Sequence, residues 1–385
     1  MNPSILCGVV FCAVLASGGI ASADDDWRFS TDILTYTDTD NVQIVSPQTA
    51  IRHLLDEEGG EVSARVVVDA VSAASVDVVS QATNRFFEVR SELNLGVSKS
   101  IGIYLPAASY RFSYEPDYVS HGVGLAVQRE ILSSDTTLSL GYNLSLDEIG
   151  YTGTSASAFS EELRSHIGTV SLTQVLGPKT LVRGVYTLSV QRGYLEKPYR
   201  HVPLFDVAGM QAAESDGVKI DLDNFDLYRL DARPGEQVPD SRAGHAVGAR
   251  ALRYLGFLPG SIRLDAQLFA DSWGRRAITL EPSLHWKQSE SRLLSAYLRA
   301  YKQGSADFWE RTYMVDEAGQ LPRWRTLDRN LSSYYTLTAG GRFQWQGETM
   351  SAYLDASVMD TRYANYIFLD SRLALTGQTG FRYRF

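Results

Sequence analysis

The stretch Leu375-Thr376-Gly377-Gln378-Thr379-Gly380-Phe381-Arg382-Tyr383-Arg384-Phe385 divides cleanly with a period of two. Leu375, Gly377, Thr379, Phe381, Tyr383 and Phe385 fall on one face; Thr376, Gln378, Gly380, Arg382 and Arg384 fall on the other. The arginines require water on their side, while three rings in a row need an apolar medium on theirs. An edge strand in a soluble sheet serves that division poorly. The closing strand of a transmembrane barrel serves it well, with an apolar face towards lipid, a polar face towards a lumen and aromatics at the interface. Phe381, Tyr383 and the final Phe385 also resemble the C-terminal signature that outer-membrane proteins present to their insertion machinery.

The same alternation recurs along the chain. Phe87, Val89, Ser91, Leu93, Leu95 and Val97 oppose Phe86, Glu88, Arg90, Glu92 and Asn94; Leu138, Leu140, Tyr142, Leu144 and Leu146 oppose Thr137, Ser139, Gly141, Asn143 and Ser145. Strands are expected at about 27–37, 41–55, 61–71, 85–97, 105–115, 120–132, 135–146, 164–176, 179–192, 242–256, 261–272, 275–288, 291–303, 330–345, 349–359 and 374–385. Pro47 makes the second a candidate for a bend or for division between two elements. Short connections, such as Asp56-Glu57-Glu58-Gly59-Gly60 and Gly177-Pro178, alternate with long ones, as periplasmic turns alternate with outer loops. The expected fold is all-β, a transmembrane antiparallel barrel of about 16 strands (about 14 to 18), with long outer loops at 193–241 and 304–329.

Residues 5–20 form an apolar run, and Ala21-Ser22-Ala23 supplies a small-x-small cleavage pattern before Asp24, Asp25 and Asp26. A signal peptide over 1–23 and a mature barrel over 24–385 are therefore expected. Both cysteines, Cys7 and Cys12, lie in the leader, so no disulfide or thiolate chemistry is available to the mature chain. No apolar run of about 18 residues follows. A net charge of −9 without a basic cluster argues against nucleic acid. Export to the outer membrane, with membrane lipid and the insertion machinery as partners, is the expectation.

Gly193-Tyr194-Leu195-Glu196-Lys197-Pro198-Tyr199-Arg200, Tyr301-Lys302-Gln303-Gly304-Ser305-Ala306-Asp307-Phe308-Trp309, Asp271-Ser272-Trp273-Gly274 and the segment from Asp69 to Ser75 resemble a family of uncharacterised bacterial outer-membrane proteins, known only as a domain of unknown function. The 69–75 segment departs from that family's usual Thr, Gly and Pro. The resemblance implies an outer-membrane barrel and no activity. The architecture is also similar to barrels through which some bacteria export polysaccharide.

No Gly-x-Ser-x-Gly elbow or His-Glu-x-x-His motif occurs, the six histidines are scattered, and no enzyme or cofactor is expected. Asp221, Asp223, Asn224 and Asp226 offer oxygen ligands without the glycine and closing glutamate of a calcium loop, so a solvated face is expected there and no metal. The inward faces carry the chemistry: Arg65, Asp69, Glu88, Arg90, Glu92, Arg183, Arg263, Asp265, Asp271, Glu281, Arg299, Arg342, Asp355, Arg382 and Arg384. That many charges require either a wet lumen or pairing across it. Tyr194, Pro198, Tyr199, Arg200, Asp221, Asp223 and Asp226 are candidates for a loop constriction. The functional expectation is a porin-like channel for hydrophilic solutes. The alternatives are a polysaccharide-export barrel with periplasmic partners and a closed structural or adhesive barrel.

Overall fold

The computed structural model describes residues 27–55, 60–73, 86–131 and 135–385. Sixteen antiparallel strands close into a barrel. In chain order they are β1 (Trp27–Asp38), β2 (Val42–Leu54), β3 (Glu61–Ala73), β4 (Phe86–Ser98), β5 (Tyr104–Glu115), β6 (Tyr118–Ile131), β7 (Thr136–Ile149), β8 (Glu161–Gly177), β9 (Thr180–Gly193), β11 (Ser241–Leu255), β12 (Gly260–Asp271), β13 (Arg276–Ser289), β14 (Arg292–Gln303), β16 (Tyr334–Gln346), β17 (Met350–Tyr363) and β18 (Ser371–Arg384). The two-residue strands β10 (Leu204–Phe205) and β15 (Tyr313–Met314) pair in parallel outside the barrel. Closure is made by β1 against β18, with Arg28 opposite Arg384 and Asp38 opposite Ala374.

Each expected strand has its counterpart within a few residues. β2 is one continuous strand rather than a bent or divided one: Pro47 stays paired with Ile33 of β1, and the ladder to β3 passes from Val45–Ala70 directly to Gln48–Val67. A missing N–H interrupts one side of a ladder without breaking the strand. The expected leader, the 56–60 turn except Gly60, the 74–75 end of the resembling segment and the Phe87 side chain lie outside what is described.

The alternation puts aliphatic side chains on the outside. Val66, Leu125, Leu140, Leu172, Leu268, Leu298, Leu354 and Leu375 are all exposed, on eight different strands. For a soluble protein this would be an untenable surface; for a barrel it is the lipid-facing belt. Trp286, Phe343 and Trp345 stand on the same face near the short-turn end, and Trp27 stacks on His53 there. Near the opposite end, three diagonal Tyr–His pairs repeat on neighbouring hairpins. The hydroxyls of Tyr110, Tyr142 and Tyr186 lie 2.8, 2.7 and 2.8 Å from Nδ1 of His121, His166 and His245. Amphipathic rings at such a level match the interfacial belts of membrane proteins.

The buried apolar residues are concentrated outside the barrel. Val202, Leu204, Phe205, Phe225, Trp273, Trp309, Tyr313, Leu327, Tyr366 and Phe368 form one core, built from the loops after β9, β12, β14 and β17. Helix α1 (Val207–Ser215), capped by Asp206 accepting from the Gly209 N–H, and the single turn α2 (Phe225–Tyr228) belong to it. The long loops are a folded cap with its own hydrophobic core.

Candidate functional site

The lumen wall is polar and mostly charge-matched. Arg90 donates to Asp69 at 2.8 Å, Arg111 lies 3.5 Å from Glu92, Arg263 lies 3.0 Å from Glu281 and 2.8 Å from Asp265, and Arg342 donates to Asp355 at 3.0 Å. These pairs are not dry. The side chains of Arg90, Arg111, Arg250 and Arg342 keep 42, 38, 42 and 40% of their surface exposed although they point into the barrel. Charges that remain this accessible mean that solvent occupies the lumen at their level, as expected for a barrel of this width. A cavity of about 720 Å³ along the wall is lined by Arg299, Tyr297, Tyr301, Tyr334, His285 and Arg342, among others.

Tyrosines also line this wall. Tyr297 lies over Gly340, and Tyr353 lies over Gly380; a Cβ at either glycine would come within 2.3 and 2.2 Å of the ring or its neighbours. Glycine is needed at both positions because the ring occupies the space its side chain would take. Tyr353 thereby reaches Asp32, to which its hydroxyl donates at 2.5 Å, while Arg342 sits 4.5 Å over its ring. Tyr301, Tyr334, Tyr363 and Tyr366 continue upward with ring centroids 5.6, 5.6 and 5.7 Å apart, running from the lumen wall into the cap.

The cap is fastened around the mouth. Arg329 pairs with Asp40 in the β1–β2 turn, Tyr199 bonds Asp117 in the β5–β6 turn, and the Tyr199 hydroxyl lies 2.9 Å from that of Thr152 in the β7–β8 loop. Asp307 donates its N–H to the carbonyl of Trp273 in the β12–β13 turn at 2.8 Å. These turns lie at widely separated points of the ring, so the cap reaches across the opening. Within it, buried Glu236 accepts from the Lys197 N–H at 2.7 Å and from Arg200 at 2.9 Å, and it also bonds the Thr326 hydroxyl. Arg311 ties two loops by donating to the carbonyls of Ile220 at 2.6 Å and Tyr366 at 3.1 Å. Burial pushes the Tyr313 phenol up to about 12, against the N–H groups of Thr326 and Glu310 that it accepts. Burial would raise the Asp328 carboxyl, but Arg200, the Asn330 N–H and Lys197 outweigh it and hold it below the usual range.

The constriction candidates separate into three places. Tyr194 packs edge-on against Phe159 at the rim and Tyr199, two residues from Lys197, is a rim tie; Arg200 lies inside the cap; Asp221 and Asp223 share a turn closed by Asn224, and Asp226 on α2 pairs with Arg229 just after it. Pro198 lies in the same loop, between Lys197 and Tyr199. The structure does not bring these seven residues into one ring. Asp271 also differs from the expectation of a lumen-lining charge. Its side chain is fully buried, 2.6 Å from Arg242 and 3.1 Å from Arg275, and accepts the N–H groups of Trp273 and Arg275. Its position at the end of β12, where the chain turns under the cap, removes it from the water-filled wall. Glu88 gathers with Glu115 and Asp117 at the outer rim, a grouping legible only once β4 and β5 are paired.

A family profile matches residues 80–366, described as a protein of unknown function (DUF3570). The chain belongs to that family. No curated protein matches it. Among solved structures it is similar to a bacterial polysaccharide outer membrane secretin, with TM-score 0.49, 8% identity, and coverage of 94% of this chain and 98% of that one. It is also similar to an anion-selective porin from Comamonas acidovorans, with TM-score 0.40, 9% identity, and coverage of 94 and 100%. The siderophore receptor PirA from Acinetobacter baumannii gives TM-score 0.45 at 9% identity; 89% of this chain is covered and 54% of that one. Identities this low carry nothing about cargo.

Proposed function

We propose that this DUF3570 protein is an outer-membrane channel for hydrophilic solutes whose outer mouth is governed by the folded cap. A leader over residues 1–23 would export it, and membrane lipid and the insertion machinery are its expected partners. One observation supports this reading above the others: a solvent-accessible, charged lumen lies beneath a cap tied to turns on several sides of the ring. A wet, charged interior suits the passage of hydrophilic solutes. Single-channel conductance in a planar bilayer tests it, comparing the refolded mature protein with a Tyr199→Phe, Arg329→Gln variant. The expected result is low or rare conductance in the first and larger, steadier conductance in the second. Equal conductance in both would remove the cap as a gate, and none in either would favour a closed adhesive barrel.

The tyrosine series from the lumen wall into the cap favours a second reading, export of a polysaccharide with periplasmic partners. Flat rings beside polar groups suit sugar faces. Block of the current by neutral oligosaccharides, and loss of a surface polymer on deletion of the gene, would support it.

A further inference from the structure

At the short-turn, periplasmic end arginines crowd the inner wall. Arg28 of β1 stands directly opposite Arg384 of β18 on one side and Arg52 of β2 on the other, so three guanidiniums follow one another across three strands. In the next row of the same face, Arg382 and Arg65 flank Ser30 and Ala50. All five line one cavity of about 430 Å³ that opens at this end. Like charges directly across a ladder repel. Further up, Arg90, Arg111, Arg263 and Arg342 each have a carboxylate. Among the described residues no carboxylate pairs with Arg52, Arg65, Arg382 or Arg384, and Arg382 lies 5.9 Å over the Tyr353 ring. Of the two acids in the cavity, Asp32 is held by the Tyr353 hydroxyl and Glu348 lies in the β16–β17 turn.

We infer that this cluster is a binding site for multiply charged oxyanions, phosphate- or carboxylate-bearing, at the periplasmic mouth of the lumen. Guanidinium forks are suited to such groups, and neighbouring forks on adjacent strands present several at once to a ligand bearing charges in series. Rings of arginine serve anion and phosphate pores in this way. The inference deepens the channel reading by naming a substrate class, and its primary test does not depend on conduction.

The test is equilibrium binding to the detergent-solubilised mature protein by calorimetry, with tripolyphosphate, trigalacturonate and neutral maltotriose as probes. Both anions are expected to bind and maltotriose much less; the tighter of the two separates a phosphate-bearing from a uronate-bearing cargo. Arg52→Gln, Arg65→Gln, Arg384→Gln in combination should weaken anion binding by about tenfold or more, while Arg183→Gln on the far wall should change it by less than about twofold. Single Arg52→Gln and Arg384→Gln variants carry the same test if the combination does not fold. Equal losses from Arg183→Gln, or no binding by either anion, would overturn the inference. So would binding that appears only when Asp24, Asp25, Asp26, Asp56, Glu57 and Glu58 are made neutral, since the cluster would then be matched internally. If binding is found but the bilayer shows no current, the site stands and the channel reading falls.

Discussion

Two positions show how single side chains hold the interior in place. Asp271 is fully buried between Arg242 and Arg275, so Asp271→Asn strands two guanidiniums without their counter-charge. Removing one member of a buried ionic group costs about 3–5 kcal/mol, and urea unfolding followed by tryptophan fluorescence should register a loss of that order. Gly380→Val acts by volume: a side chain would meet the Tyr353 ring and the Asp32 carboxylate. Overpacking of this kind costs about 1–3 kcal/mol. The ring must move, so Asp32 loses its donor, and the same urea measurement should fall by that amount. Which charges face inward could be read from alternation alone at Arg90, Arg263 and Arg342, because the period of two fixes the face. Alternation could not reveal that Asp271 is dry, since burial there comes from the turn and the cap above it.

At the level of elements, the barrel and the cap follow different physics. Every barrel strand was legible because a local pattern specifies it. The cap was not: loops after β9, β12, β14 and β17 share one core, and only their spatial meeting makes Phe225, Tyr313 and Phe368 neighbours. Its helices are short, and α1 is capped by Asp206 within the loop after β9. The depressed Asp328 carboxyl gives this unit a pH dependence with a definite sign. A group whose folded value lies below its unfolded one adds stability above the ordinary carboxylate value, and that stability is lost as pH falls through the folded value. The cap should therefore stay fastened from about pH 5 to 8 and loosen below about pH 4. Conductance recorded against pH should rise in that acid range, and Asp328→Asn should flatten the step.

For the whole molecule, the decisive contact is between its first and last strands. Phe381 on β18 and Phe385 just beyond it present their rings outward, and the backbone of Phe385 exchanges hydrogen bonds of 3.1 Å with Trp27. If these aromatics are the insertion signal, Phe385→Ala should lower the heat-resistant, membrane-inserted fraction several-fold while leaving refolding into detergent intact, which separates recognition from stability. The position of the arginine row adds a kinetic consequence. Arg384 and Arg28 belong to opposite ends of the chain and become neighbours only when the seam zips. Closing the seam thus drives like charges together, and it should behave as an ionic reaction between cations. Added salt should speed the last phase of refolding, polyphosphate should speed it more at far lower concentration, and Arg384→Gln should make that phase insensitive to both. A site that greets anions in the finished barrel would then also have used them as a counterion clasp during its closure.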